Sequence, residues 1–250
     1  EDTGLIKLDL LGNRSLSTIR AATDLIRQRT GRAIDVERLA PDDPDTLATL
    51  RSGHTVGCNQ LESPAMRYLL RAYRPADARD VMRALALIRP GAAGVGMKDT
   101  FIRRHRGLEP TPSLPPPLDA ILAESHGILC YEDDVMLAAE GMTGRSRADA
   151  DRFRKQVQKC RTDAEREALT GEFLGLCRTA GFDLDVARDI WHQMAKFNAY
   201  SFCRAHAGSY AILAWGIAWL KTHRPLEFWT GALNNNQSMY HPRLYVRCAR

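Results

Sequence analysis

Several positions carry side chains whose type and spacing suit chemistry on phosphates. In GLIKLDLLG (Gly4 to Gly12), read as a strand, Ile6, Leu8 and Leu10 share an apolar face while Lys7 and Asp9 project together from the other. An acid and a base so placed can hold a metal and a phosphate side by side, or form an ordinary ion pair on a half-exposed strand. In RADADRFRKQVQKC (Arg147–Cys160), read as a helix, Arg152, Lys155 and Lys159 form one cationic face flanked by Arg154, and Phe153 and Val157 point the other way. Such a ridge can meet a row of oxyanions, or simply face solvent. Arg204 and His206 precede a long apolar stretch that must be a buried helix, and free N–H groups at a helix start next to cations suit an anion.

Charge is unevenly spread. The 250 residues carry a net charge of +5. From Arg67 to Arg106, a segment that includes Arg89, Arg103 and Arg104, ten Arg or Lys stand against three Asp; from Ala195 to Arg250, seven stand against Glu227 alone. Two separated basic segments fit a polyanion, with nucleic acid first, and fit equally an Arg-rich solvated surface. Six scattered cysteines include no Cys-x-x-Cys pair, which argues against a zinc ribbon or a disulfide framework and fits a reducing cytosol. Cys203 and His206 lack a second ligand pair for a metal, and two residues within one turn are a poor nucleophile–base couple. The longest apolar run, Tyr210–Leu220, has 11 residues, too short for a bilayer, so no membrane partner is expected.

The elements that must position these groups are mainly helical. Ser15 or Ser17 can cap a helix that stops at Gly31. Further helices are expected over Pro64–Ala72, Ala76–Ile88, Met97–Arg106, Asp133–Glu140, Arg147–Lys159, Asp163–Thr179, Asp185–Phe197, Ala207–Thr222 and Leu226–Asn234. Two short strands complete the fold: the opening one, and the apolar run GILCY (Gly127–Tyr131). EPTPSLPPPL (Glu109–Leu118) is an extended proline-rich break. The start without methionine and the end inside a charged stretch suggest an internal piece of a longer protein.

Five collinear segments resemble the bacterial replicative C-family DNA polymerases, the DNA polymerase III alpha subunits: GLIKLDLLGNRSLSTI, GCNQLESPAM (Gly57–Met66), ALIRPGAAGVGM (Ala86–Met97), GILCYEDDVM (Gly127–Met136) and FNAYSFCRAHAGSYAILAWGIAWLKTHRPLEF (Phe197–Phe228). The resemblance implies a fold of helical fingers, residues 15–250, attached to the last strand of a polymerase-beta-like nucleotidyltransferase palm, residues 1–14. It implies Asp9 as one of three palm aspartates holding two Mg²⁺ ions, with Lys7 near the incoming triphosphate. Arg154 and Lys155 would meet that triphosphate, Arg204 and His206 would line its pocket, and Arg89, Arg103 and Arg104 would contact DNA.

Some positions depart from the family pattern. The second arginine of the fingers pair is Lys155, which keeps the charge but not the bidentate fork. The expected second lysine is Cys160, the glutamine after the GILCY tyrosine is Glu132, and Asn59 stands where a large apolar residue is usual. Asp43/Asp45, Asp149/Asp151 and Asp183/Asp185 lack a palm strand, so none is read as the missing aspartate pair.

The expected reaction is addition of a dNTP to a primer 3′-end on primer–template DNA, in the bacterial cytoplasm. A sliding clamp and other replisome subunits would be met through regions outside this chain. Alone, the chain is expected to be inactive. The alternatives are a noncatalytic helical nucleic-acid-binding module and, more remotely, a helical enzyme with Cys203 as nucleophile.

Overall fold

The computed structural model describes residues 13–88, 96–198, 202–235 and 239–250. The expected opening strand with Lys7 and Asp9, and Arg89, lie outside them. Among the described residues the chain is helical throughout, with no strand.

The first core is built from both ends of the sequence. Helix α1 (Arg14–Thr30) starts where Asn13 accepts the Ser15 N–H at 3.0 Å and stops at Gly31, whose φ of 71° gives the left-handed turn an L side chain resists. The cap is thus Asn13, not the expected serines. Helices α2 (Pro44–Ser52) and α3 (Pro64–Tyr73) each carry proline at the first turn, where no N–H is needed, capped by Asp43 and Ser63. Helices α4 (Ala78–Leu87) and α5 (Met97–His105) follow. Late in the chain come α11 (Arg204–His223), α12 (Pro225–Asn234) and α13 (Pro242–Ala249). Ala207, Ala211, Ala214, Trp215, Ile217, Ala218 and Leu220 of α11 are buried, as its all-round apolar sequence requires. It packs on α4, α2 and α1, while α1 lies along α12.

A second core holds α6 (Pro116–Leu122), α7 (Glu132–Thr143), α8 (Arg147–Lys159), α9 (Asp163–Thr179) and α10 (Leu184–Asn198). Phe153, Phe173 and Trp191 meet at its centre, with ring centroids 5.4 to 5.8 Å apart. Ser146 caps α8, and Thr162 with Glu165 forms a reciprocal capping box on α9.

Two expectations about elements are corrected. GILCY is buried but is not a strand: the Cys130 and Tyr131 N–H groups both donate to Asp134 Oδ2 at 2.8 Å, and the Glu132 N–H donates to Phe202 O at 2.9 Å, so a side chain and a loop carbonyl replace a ladder. The proline-rich break is shorter than expected, because Pro116 opens α6. Helix α13, beyond the last helix expected from sequence, docks through Tyr245, whose hydroxyl donates to the buried Glu62 carboxylate at 2.6 Å.

Candidate functional site

Arg154 and Arg204, 50 residues apart in sequence, converge on the first turn of α7. Phe153 sinks into the second core, which rotates Arg154 toward α7 and leaves its side chain only 13% exposed. Its Nε and Nη2 donate to Asp151 Oδ1 at 3.1 and 2.8 Å, and its Nη1 lies 3.5 Å from Glu132 Oε2. Lys155, one residue on and more exposed, reaches Asp151 Oδ2 at 2.7 Å. Lys155 first, and Arg154 with it, hold the Asp151 carboxyl below the usual carboxylate range.

Arg204 arrives from the other core. Helix α11 begins three residues earlier than expected, so Arg204 is its first residue and the helix start is already engaged: the Arg204 N–H donates to Asp133 Oδ2 at 3.3 Å. The guanidinium lies over the Tyr131 ring, 5.4 Å from its centroid, and Nη2 donates to Glu124 Oε2 at 3.1 Å. Consecutive residues 131–133 thereby touch both arginines. Tyr131 is 4% exposed, and its hydroxyl has no hydrogen-bond partner among the described residues.

Asp134 closes this turn from below. It is buried, and although it accepts two N–H groups, burial pushes its carboxyl up to about 6. His206 is exposed within the first turn of α11, its ring 5.5 Å from Phe202 and 4.4 Å from Tyr210. No hydrogen bond joins it to Cys203, which is exposed at the helix cap.

Arg103 and Arg104 stand apart from this cluster, on α5. Both donate to Glu109, at 2.8 and 3.2 Å, and Arg104, 16% exposed, also donates to His126 O at 2.9 Å. They are tied into the turn before the proline-rich segment.

A separate cleft of about 820 Å³ is lined by Asn59, Gln60, Glu62 and Ser63 of the QLES segment, with Met66, Ile88 and Tyr240. Glu62, 8% exposed, accepts the Gly57 N–H at 2.9 Å and so holds the loop closed. Among the described residues no group of three or more His, Cys, Asp or Glu is placed to hold a metal ion, and no helix is long and apolar enough to cross a membrane.

Sequence reasoning found the cations but missed their partners. Glu124 carries no pattern that marks it, Asp151 stood out only as half of an Asp-x-Asp site without a palm strand, and Glu132 only as a departure from a family glutamine.

Comparison with known proteins points one way. The family model for the bacterial DNA polymerase III alpha subunit finger domain matches residues 15–181. DNA polymerase III subunit alpha of Aquifex aeolicus is 32% identical over 238 residues, covering 95% of this chain and 20% of the relative. The subunit alpha of Bacillus subtilis is 33% identical over 238 residues, with 94% and 21% covered, and that of Mycobacterium tuberculosis 34% over 242, with 94% and 20%. The chain spans about a fifth of the length of these curated relatives.

Proposed function

The chain belongs to the bacterial DNA polymerase III alpha subunit finger-domain family, and on that footing we propose that it is the fingers of a template-directed DNA polymerase that adds a dNTP to a primer 3′-end. The division into a palm end, residues 1–14, and fingers, residues 15–250, belongs to this reading. The observation that carries the site is the meeting of Arg154 and Arg204 at one helix turn: two guanidiniums from separate cores, held by carboxylates, suit a polyphosphate better than an isolated cation would. Lys155 adds a point charge beside them, and His206, two residues after Arg204 in the first turn of α11, is proposed as a further lining group of the nucleotide pocket. Arg103 and Arg89 are proposed as DNA-backbone contacts, which position the duplex without reading its sequence.

Asp9 is proposed as a carboxylate of a Mg²⁺-binding centre, with Lys7 beside it. When bound, such ions would activate the primer hydroxyl and neutralise the leaving pyrophosphate. The chain's own contribution is proposed to be binding and orienting the triphosphate, and by itself it is proposed to be inactive. A sliding clamp and further replisome subunits are proposed partners of regions outside it, in the bacterial cytoplasm.

The test is Arg154→Ala in the full-length polymerase. The Michaelis constant for dNTP is expected to rise about tenfold or more, as befits loss of a charge-assisted contact, with primer–template affinity changed much less. Equal losses in both would move Arg154 to the DNA backbone.

A further inference from the structure

Arg154 is not a free cation waiting for an anion. All three of its guanidinium nitrogens face carboxylates, and the pair Arg154 and Lys155 is matched in charge by Asp151 and Glu132. Arg204 and Arg83 are matched in the same way by Glu124 and Asp80. A polyphosphate approaching this turn meets compensated charge and gains little until a carboxylate gives way.

The two acids on Arg154 are not equivalent. Asp151 is on the same helix, grips two nitrogens of Arg154 at 3.1 and 2.8 Å and is shared with Lys155 at 2.7 Å. Glu132 reaches across from α7 to a single nitrogen, at 3.5 Å, and its side chain is 32% exposed. Its backbone is pinned by the hydrogen bond to Phe202 O, so the side chain can swing into water while the turn stays in place. The residue after it, Asp133, holds the Arg204 backbone, and the residue before it lies under the Arg204 guanidinium. Whatever displaces Glu132 therefore meets Arg154 Nη1 with Arg204 next to it.

We propose that Glu132 is a positioning residue: it holds Arg154 against α7 in a charge-compensated state and is displaced when the phosphates of a nucleoside triphosphate bind. This rests on the nucleotide reading given above and adds its regulation. The exchange costs little, because a partly exposed carboxylate regains its hydration, and it suppresses occupation by weaker anions that cannot displace it.

Inorganic tripolyphosphate and dATP, each titrated calorimetrically into the chain at low and moderate salt, test the proposal. Glu132→Gln is expected to bind both about threefold to tenfold more tightly than wild type at low salt, with the advantage shrinking as salt rises. The uncharged Glu132→Ser must give the same gain, and Arg154→Ala added to Glu132→Gln must abolish it. Damage to the fold would not tighten binding, so unchanged or weaker tripolyphosphate affinity in both single variants overturns the proposal. Persistence of the gain without Arg154 overturns it too, as a general charge effect. A gain for tripolyphosphate with none for dATP keeps the displaceable carboxylate and removes the nucleotide reading.

Discussion

Asp134 shows how one side chain can be both necessary and costly. Its Oδ2 stitches the Cys130 and Tyr131 N–H groups to the start of α7, the turn on which both arginines rest. Burial nevertheless raises its carboxyl from 3.8 to about 6. An acid raised in this way is bound to a proton more readily folded than unfolded. Its ionisation penalty is therefore absent below pH 3.8, grows between 3.8 and 6, and is complete above about 6. Across that window the penalty amounts to roughly 3 kcal/mol. Asn keeps an oxygen that can accept both N–H groups and does not ionise. We expect the stability of wild type relative to Asp134→Asn to rise by about 2 kcal/mol between pH 7.5 and 4.5, read from urea unfolding at each pH. A pH-independent difference would show that the carboxyl titrates normally.

Helix against helix, α1 and α12 approach closely at Gly231. A Cβ at Gly231 would stand 2.8 Å from Thr18 O and 3.3 Å from Ala22 N, backbone atoms that cannot swing aside. Gly231→Ala must push the two helices apart and is expected to cost about 1–3 kcal/mol in denaturant unfolding, despite alanine's better helix propensity; a neutral result would mean that the helices slide freely. Elements of this kind were legible in sequence wherever the signal was local. The bounds of α8 and α9 agree with the reading from caps and apolar spacing, because Ser146 and Thr162 mark their starts. Helix α6 was missed because Pro116 lies in the stretch read as a proline-rich break, and α13 because no helix was read beyond Asn234, whereas Pro116 and Pro242 each supply a first helical residue. GILCY was misread because an apolar run does not reveal that its backbone partners are a side chain four residues on and a carbonyl some seventy residues away. The site divides the same way. Arg154 and Arg204 announce themselves by charge and resemblance, while Glu132 becomes a partner only when α7 packs on α8, Glu124 only when the two cores meet, and Asp151, three residues before Arg154 on the same helix, only through its side-chain geometry.

Over the whole molecule, the two cores communicate through residues 123–134. Tyr73 donates to Asp80, which pairs with Arg83 at 2.5 Å; Arg83 lies 3.7 Å from Glu124, and Glu124 accepts from Arg204. Beside this relay His105 and His126 join α5 to the same turn, Nδ1 to Nε2 at 3.2 Å, packed among Tyr73 and Phe101. Burial, more than any neighbour, lowers both histidines below 6.5; Arg83 lowers both as well, Arg106 acts on His105, Arg104 on His126, and Asp80 alone opposes. A histidine lowered in the folded state takes up its proton more readily when unfolded. Its contribution to stability is thus full above pH 6.5 and is lost as the pH falls toward the folded value. Two charged rings at this spacing would also repel across a contact that neutral rings bridge. His126 has a φ of 55°, a backbone conformation that asparagine tolerates well, so His126→Asn removes the titration with little strain. We expect the thermal midpoint of wild type to fall further than that of His126→Asn between pH 7.5 and 5.5. Comparing the two also cancels the opposite trend from Asp134. Hydrogen exchange should then locate the acid-induced loosening at residues 97–105 and 123–131 before either core opens, and parallel pH profiles for the two proteins would place the acid-sensitive contact elsewhere.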